Sequence, residues 1–300
     1  MRLAAIMAVG ATMLAGCGSP EPNEEPASGK LRVVAAENFW GSIAAQLGGE
    51  KAQVRSIVVN PETDPHGYEP TAADARAMAG ARMAIVNGMG YDRWASRLLA
   101  ANPSGGREVL DVGSLLGLKQ GDNPHQWYSP AHVHAVIDRI VADYDKLRPA
   151  DVGYFARQKR TFETVGLARY DALIGQIKAR YAGVRVGYSE SIFQPLGEAL
   201  GLKLLTPYSF AKAIAEGTEV SARDRQTVDR QASSRQIKVW VVNKQNLTPD
   251  VQRVSELARA GHIPIVAVTE TLSPASAGFE QWQATQLEGL LSALRRATGR

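Results

Sequence analysis

Short apolar runs and longer amphipathic ones alternate along most of this chain. Residues 31–36 (LRVVAA) are a compact apolar run of strand character. Asn38 then opens a stretch in which Phe39, Ile43 and Leu47 recur at helical spacing. A second strand-like run covers 54–59, and Thr71-Ala72-Ala73-Asp74 opens the next helix as a capping box would, with Asp in place of Glu. Residues 83–86 (MAIV) read as a buried strand, 91–101 as a helix and 109–112 as a strand again. Ser129-Pro130 then starts a helix to about Leu147 that turns Val133, Ile137, Ile140 and Val141 inward.

From 150 to about 181 the helical period continues through Tyr154, Phe155, Phe162, Val165, Leu173, Ile174 and Ile177. Roughly 30 residues at 1.5 Å each make a rod of about 45 Å, read as a spine between two lobes; the alternative is two helices broken near Gly166. Beyond it the strand–helix rhythm resumes. Strands are expected at 184–188, 203–205, 237–242 and 263–268, with helices at 192–200, 221–236, 248–260 and 279–297. The fold class is therefore α/β: two lobes, each with a mainly parallel sheet flanked by helices, joined by one long helix. The lobes are assigned to 31–149 and 183–300, with 150–182 as the link.

The first 30 residues break the rhythm. Arg2 precedes an apolar run from Leu3 to Leu14, too short to span a membrane, which reads as an export signal over residues 1–16. Leu14-Ala15-Gly16-Cys17 resembles the lipobox of bacterial lipoproteins, which makes Cys17 the expected lipidated residue. Cys17 is also the chain's one cysteine, so no internal disulfide forms. Residues 18–30 (GSPEPNEEPASGK) lack any large apolar side chain and read as a flexible tether. Residues 1–30 hold two basic and three acidic of the chain's 34 and 30, leaving 32 against 27 in the body. That balance, with no long basic run, excludes a nucleic-acid footprint.

Two of the 5 histidines occupy matched turns: Asp64-Pro65-His66-Gly67-Tyr68-Glu69-Pro70 and Asn123-Pro124-His125-Gln126-Trp127-Tyr128-Ser129-Pro130. A proline stiffens the backbone before each histidine, and Pro70 and Pro130 suit the first turn of a helix. Both histidines follow expected strands. Ligands of such sheets bind beyond the carboxyl ends of strands. In the second half the matching places hold Ser189-Glu190-Ser191 and Thr269-Glu270-Thr271, each a carboxylate between hydroxyl residues. Two neutral imidazoles and two carboxylates sum to −2 and neutralise a divalent cation, while four protein ligands leave little of the open coordination that metal catalysis uses. Glu219 competes for the fourth place. His132 and His134 lie two apart on a helix and face different sides, as surface residues do, and His262 sits where it can cap the helix before it. No glycine-rich phosphate loop, Cys-x-x-Cys, Gly-x-Ser-x-Gly or His-Glu-x-x-His motif occurs.

With these motifs the chain resembles, from its lipobox to its last helix, the zinc/manganese family of substrate-binding lipoproteins that serve bacterial ABC importers. The resemblance rests on Pro65-His66-Gly67-Tyr68-Glu69-Pro70, Asn123-Pro124-His125-Gln126-Trp127, Ser189-Glu190-Ser191-Ile192-Phe193 before Leu200-Gly201-Leu202, and Val268-Thr269-Glu270-Thr271-Leu272. It implies two α/β lobes joined by a long helix, with one Zn²⁺ or Mn²⁺ as cargo between them. His66 and His125 match the family's two histidine ligands. Glu190 matches the third position, which is His in many zinc receptors and Glu in many manganese receptors. Glu270 stands where the family usually has Asp, and the His- and acid-rich loop of some zinc receptors has no counterpart. The implied protein is a monomeric receptor, not an enzyme, held outside the cell membrane by lipid on Cys17 and delivering metal to an ABC permease and its ATPase. The alternatives are an exported metallohydrolase using the same His/Glu cluster, and a receptor of the same shape for an organic ligand or a surface adhesin.

Overall fold

A computed structural model describes residues 29–300 apart from 62, 64 and 66. The export signal, Cys17, all but the end of the tether, and His66 therefore lie outside the described residues. One sheet holds β1 (Leu31–Glu37), β2 (Ala52–Val58), β3 (Met83–Val86) and β4 (Glu108–Asp111) in the order β2-β1-β3-β4. The other holds β5 (Arg185–Tyr188), β6 (Lys203–Leu204), β7 (Val239–Asn243) and β8 (Ile265–Val268) in the order β6-β5-β7-β8. Every pairing is parallel. The same order in both sheets reverses the direction of winding after the second strand, so helices cover both faces. Strands covered on both faces are mainly apolar, as β3 (MAIV) and the first four residues of β7 (VWVV) are, and both strands are buried along their whole length. The reversals lie between β1 and β3 and between β5 and β7, where a crevice forms at the carboxyl ends of the strands.

Local chemistry fixes where the helices begin. Thr71 Oγ1 accepts from the Asp74 amide at 3.3 Å while Asp74 Oδ2 accepts from the Thr71 amide at 2.9 Å. This reciprocal cap starts the helix at Ala72, so Pro70 lies ahead of the cap rather than inside the first turn. Pro130 does occupy the first turn of the helix Pro130–Leu147, behind a Ser129 cap. The helix expected from residue 91 begins at Arg93, because the preceding turn consumes Asn87–Asp92. There Gly88 has φ +75° and Met89 φ +56°, and the Tyr91 amide donates to the Gly88 carbonyl at 2.9 Å. The link is helical through Val152–Thr161 and Ala168–Tyr181, with one wider π turn at Phe162–Gly166 between them. A helix at Tyr208–Ala215 has no counterpart in the sequence reading.

The two lobes share a core. One continuous cluster of buried side chains runs from Phe39, Trp127 and Ile137 in the first lobe, through Ile177 in the link, to Val241 and Leu290 in the second. The last helix, Phe279–Thr298, stitches them: the Phe279 amide donates to Ser42 Oγ at 2.9 Å, and Gln46 Nε2 donates to Glu280 Oε2 at 2.7 Å.

Two outcomes test this packing. A Cβ on Gly187, in β5, would lie 2.7 Å from Ile237 Cδ1 and 2.8 Å from the Trp240 ring, whose Nε1 is tied to Ser255 Oγ at 3.0 Å. Gly187→Ala should cost about 1–3 kcal/mol in denaturant unfolding; an unchanged midpoint would show that the ring is free to yield. Asp92 holds the turn after β3 by accepting from the Asn87 and Gly88 amides at 2.7 and 2.9 Å, yet burial pushes its pKa up to about 6. A carboxyl raised on folding favours the fold while protonated, and that contribution is lost as pH rises through about 6. Scanning calorimetry of metal-free protein should show stability falling between about pH 4 and 6 by up to about 3 kcal/mol from this group, and Asp92→Asn should flatten that slope.

Candidate metal centre

The carboxyl edges of the two sheets face one another, and three of the four expected ligands meet there. His125, Glu190 and Glu270 are buried, and one ligand atom from each lies within 4.8 Å of the other two. His125 comes from the loop after β4, Glu190 follows β5 by two residues, and Glu270 follows β8 by two residues. His125 Nε2 stands 3.6 Å from Glu190 Oε1. The site opens onto a cleft of about 920 Å³, lined by Pro65, Met89 and Tyr91 from one lobe and Tyr208, Lys212 and Asn246 from the other.

Hydrogen bonds decide which ring nitrogen of His125 faces the carboxylates. Asn123 Nδ2 donates to the Ser191 carbonyl at 2.8 Å, and its Oδ1 accepts from the His125 amide at 3.1 Å. That orientation leaves Oδ1 as acceptor for His125 Nδ1 at 2.8 Å, so Nδ1 carries the proton and Nε2 offers its lone pair. The ring sits among aromatics: Tyr91 and Trp127 meet it edge-on at 6.0 and 5.2 Å, and Trp127 stacks on Phe39 at 3.9 Å. Such walls exclude water and strengthen every charge interaction inside.

The carboxylates are held by neutral donors. Asn243, the last residue of β7, gives its Nδ2 to Glu190 Oε2 at 2.6 Å and to Glu270 Oε1 at 2.9 Å. Asn246 Nδ2 adds a 3.3 Å contact to Glu190 Oε2. Tyr91, from the first lobe, donates its hydroxyl to Glu270 Oε2 at 2.9 Å. Burial first, then the charges of Glu270 and Glu37, hold that phenol well above its ordinary pKa, so it stays a donor. Gln245 accepts from the Glu270 amide through Oε1, and through Nε2 it donates to the Pro61 carbonyl in the loop that leads towards residue 66.

The remaining sequence candidates lie elsewhere. Glu219 is exposed and outside the group. His132 is half-buried, with Nδ1 2.6 Å from Gln126 Oε1, and His134 lies beside Glu163 and Asp171. His262 is exposed, with φ +54° after the helix Pro249–Ala260, and its amide closes that helix on the Arg259 carbonyl at 2.9 Å. Sequence reading missed Asn243, Gln245 and Asn246. The strand-end rule that picked Glu190 and Glu270 also points to this stretch, at the end of the most apolar strand, but does not tell a supporting amide from a turn residue.

Comparison with known proteins follows the same geometry. The manganese-binding lipoprotein MntA of Halalkalibacterium halodurans is 29% identical over 143 residues, which is 46% of this chain and 47% of that protein. The match thus spans about half of that relative's length. The manganese ABC transporter substrate-binding lipoprotein PsaA of Streptococcus pneumoniae is 23% identical over 93% of both chains. Among solved structures, FpvC of Pseudomonas aeruginosa in complex with Mn²⁺ superposes with a TM-score of 0.72 at 22% identity, covering 89% of this chain and 99% of that one. The Cd-bound periplasmic metal binding protein of Candidatus Liberibacter asiaticus gives 0.73 at 18% identity, covering 88% and 100%. These two likenesses establish the fold. The profile of the family described as zinc-uptake complex component A, periplasmic, matches residues 33–293, and the chain belongs to that family.

Proposed function

We propose that this protein is an extracytoplasmic receptor that captures one divalent metal ion, Zn²⁺ or Mn²⁺, between its lobes and hands it to an ABC permease driven by its ATPase. The observation that carries the reading is the buried meeting of His125, Glu190 and Glu270 across the two lobes. His66, which follows β2 in the sequence, supplies the fourth ligand and the second neutral imidazole. The donor set then carries −2 and balances a divalent ion without a further counter-charge. Lipid on Cys17 anchors the receptor, residues 18–30 let it range over the membrane surface, and it acts as a monomer. Among the described residues no helix is long and apolar enough to cross a membrane.

The chemistry favours carriage over catalysis. Four protein ligands fill the positions that a hydrolytic metal site keeps open for water. The relatives compared above are named as binding proteins and not as catalysts. Uptake requires Nε2 of His125 unprotonated and both carboxylates ionised, so acid favours release. A permease that draws one lobe's ligands away has the same effect, because each lobe alone offers only two of the four ligands.

Native mass spectrometry of the full chain from metal-replete medium tests the reading. One divalent ion per chain is expected in the wild type. His66→Ala, His125→Ala and Glu190→Gln should each lose it, with affinity at least about a hundredfold weaker, since losing a ligand should exceed the 10–100-fold cost of losing a ligand's supporting group. A folded wild type that carries no ion, or variants that keep it, would refute the receptor.

A further inference from the structure

The side chain of Asn243 has a geometry that bears on which ion the site prefers. β7 lies between β5 and β8 in its sheet, so its carboxyl end is flanked by the two strands that deliver Glu190 and Glu270. Asn243 is buried there, and its backbone amide donates to Ser189 Oγ at 3.0 Å. The Gln245 amide, which can only donate, reaches Asn243 Oδ1 at 3.0 Å. The amide group is therefore oriented by the backbone, with Nδ2 turned to the carboxylates. Its contacts fall on Oε2 of Glu190 and Oε1 of Glu270, at 2.6 and 2.9 Å.

We infer that Asn243 is a positioning residue that sets the coordination number of the bound ion, keeping Glu190 and Glu270 monodentate and so favouring a four-coordinate ion over a larger, higher-coordinate one. This rests on the receptor reading above. A carboxylate that binds a metal through both oxygens must aim both at the ion. Asn243 holds one oxygen of each glutamate on its own side, which leaves Glu190 Oε1 as the atom that leads towards His125 Nε2 at 3.6 Å. Glu270 is pinned from its other side as well, by the Tyr91 hydroxyl on Oε2. Two nitrogens and two single oxygens make the tetrahedral set that suits Zn²⁺, whereas Mn²⁺ gains from the extra oxygens of bidentate carboxylates. Glutamates freed from Asn243 can swing both oxygens inward, so a side chain that touches no ion biases the choice between two.

The test compares the wild-type full chain with Asn243→Leu, which keeps the approximate shape without a donor, and Asn243→Ala. Zn²⁺ and Mn²⁺ affinities are measured by competition titration, and Co²⁺ serves as a spectroscopic probe, because its visible bands weaken as coordination rises above four. In both variants Zn²⁺ affinity should fall about 10–100-fold, Mn²⁺ affinity should fall less, and the Co²⁺ bands should weaken. Equal losses for both metals with unchanged Co²⁺ bands would overturn the inference and leave the receptor intact. A wild type that binds none of the three ions would overturn the receptor reading and this inference together. Far-UV circular dichroism checks the fold: loss of the wild-type spectrum in both variants would make Asn243 a structural element of the second lobe and also overturn the inference.

Discussion

Two carboxylates that share one buried pocket with an imidazole form the constraint on which the rest of the structure depends. Glu190 and Glu270 each place an oxygen within 4.8 Å of the other's and of an imidazole nitrogen. Two like charges about 4 Å apart repel by about 4 kcal/mol even at an effective dielectric of 20. The fold meets this with neutral donors: the amides of Asn243 and Asn246 and the hydroxyl of Tyr91. Those donors soften the repulsion without cancelling it. In the reading proposed above, a divalent cation bound between these groups balances their charge.

The architecture brings both acids and His125 to one point. Each sheet exposes the carboxyl ends of its strands, and the shared strand order puts a crevice at the same place in both lobes. The first lobe contributes a ring whose tautomer is fixed by Asn123, and the second contributes two acids fixed by Asn243. The lobes are not independent bodies. Their common core runs through Phe39, Trp127 and Leu290, and the last helix ties Ser42 and Gln46 to the second lobe. Separating them widely would expose that core. Across the cleft, Lys212 Nζ donates to the Gly121 carbonyl at 3.2 Å and the Tyr91 hydroxyl donates to Glu270.

Much of this was legible in the sequence because its signals are local. Apolar runs marked all eight strands, Thr71 and Ser129 announced their helices, and the strand-end rule picked His125, Glu190 and Glu270 from residues far apart in the chain. What escaped notice depends on tertiary detail. Whether Pro70 sits inside a helix or before its cap is decided by the Thr71–Asp74 exchange, and Gly166 ends a π turn rather than a helix. The amides of Asn243 and Asn246 look like ordinary turn residues until β7 is seen to run between the strands that carry the glutamates. Polar residues after strands announce turns and sites alike, and only the neighbouring strands tell them apart.

The most direct measurement is anomalous diffraction from crystals of the full chain grown with Zn²⁺ or Mn²⁺, with data collected at each metal's absorption edge. The account requires one peak between the lobes, bounded by Nε2 of His125, one oxygen each from Glu190 and Glu270, and the imidazole of His66. A metal peak elsewhere, or a loaded protein in which Glu190 and Glu270 do not touch the ion, would contradict it.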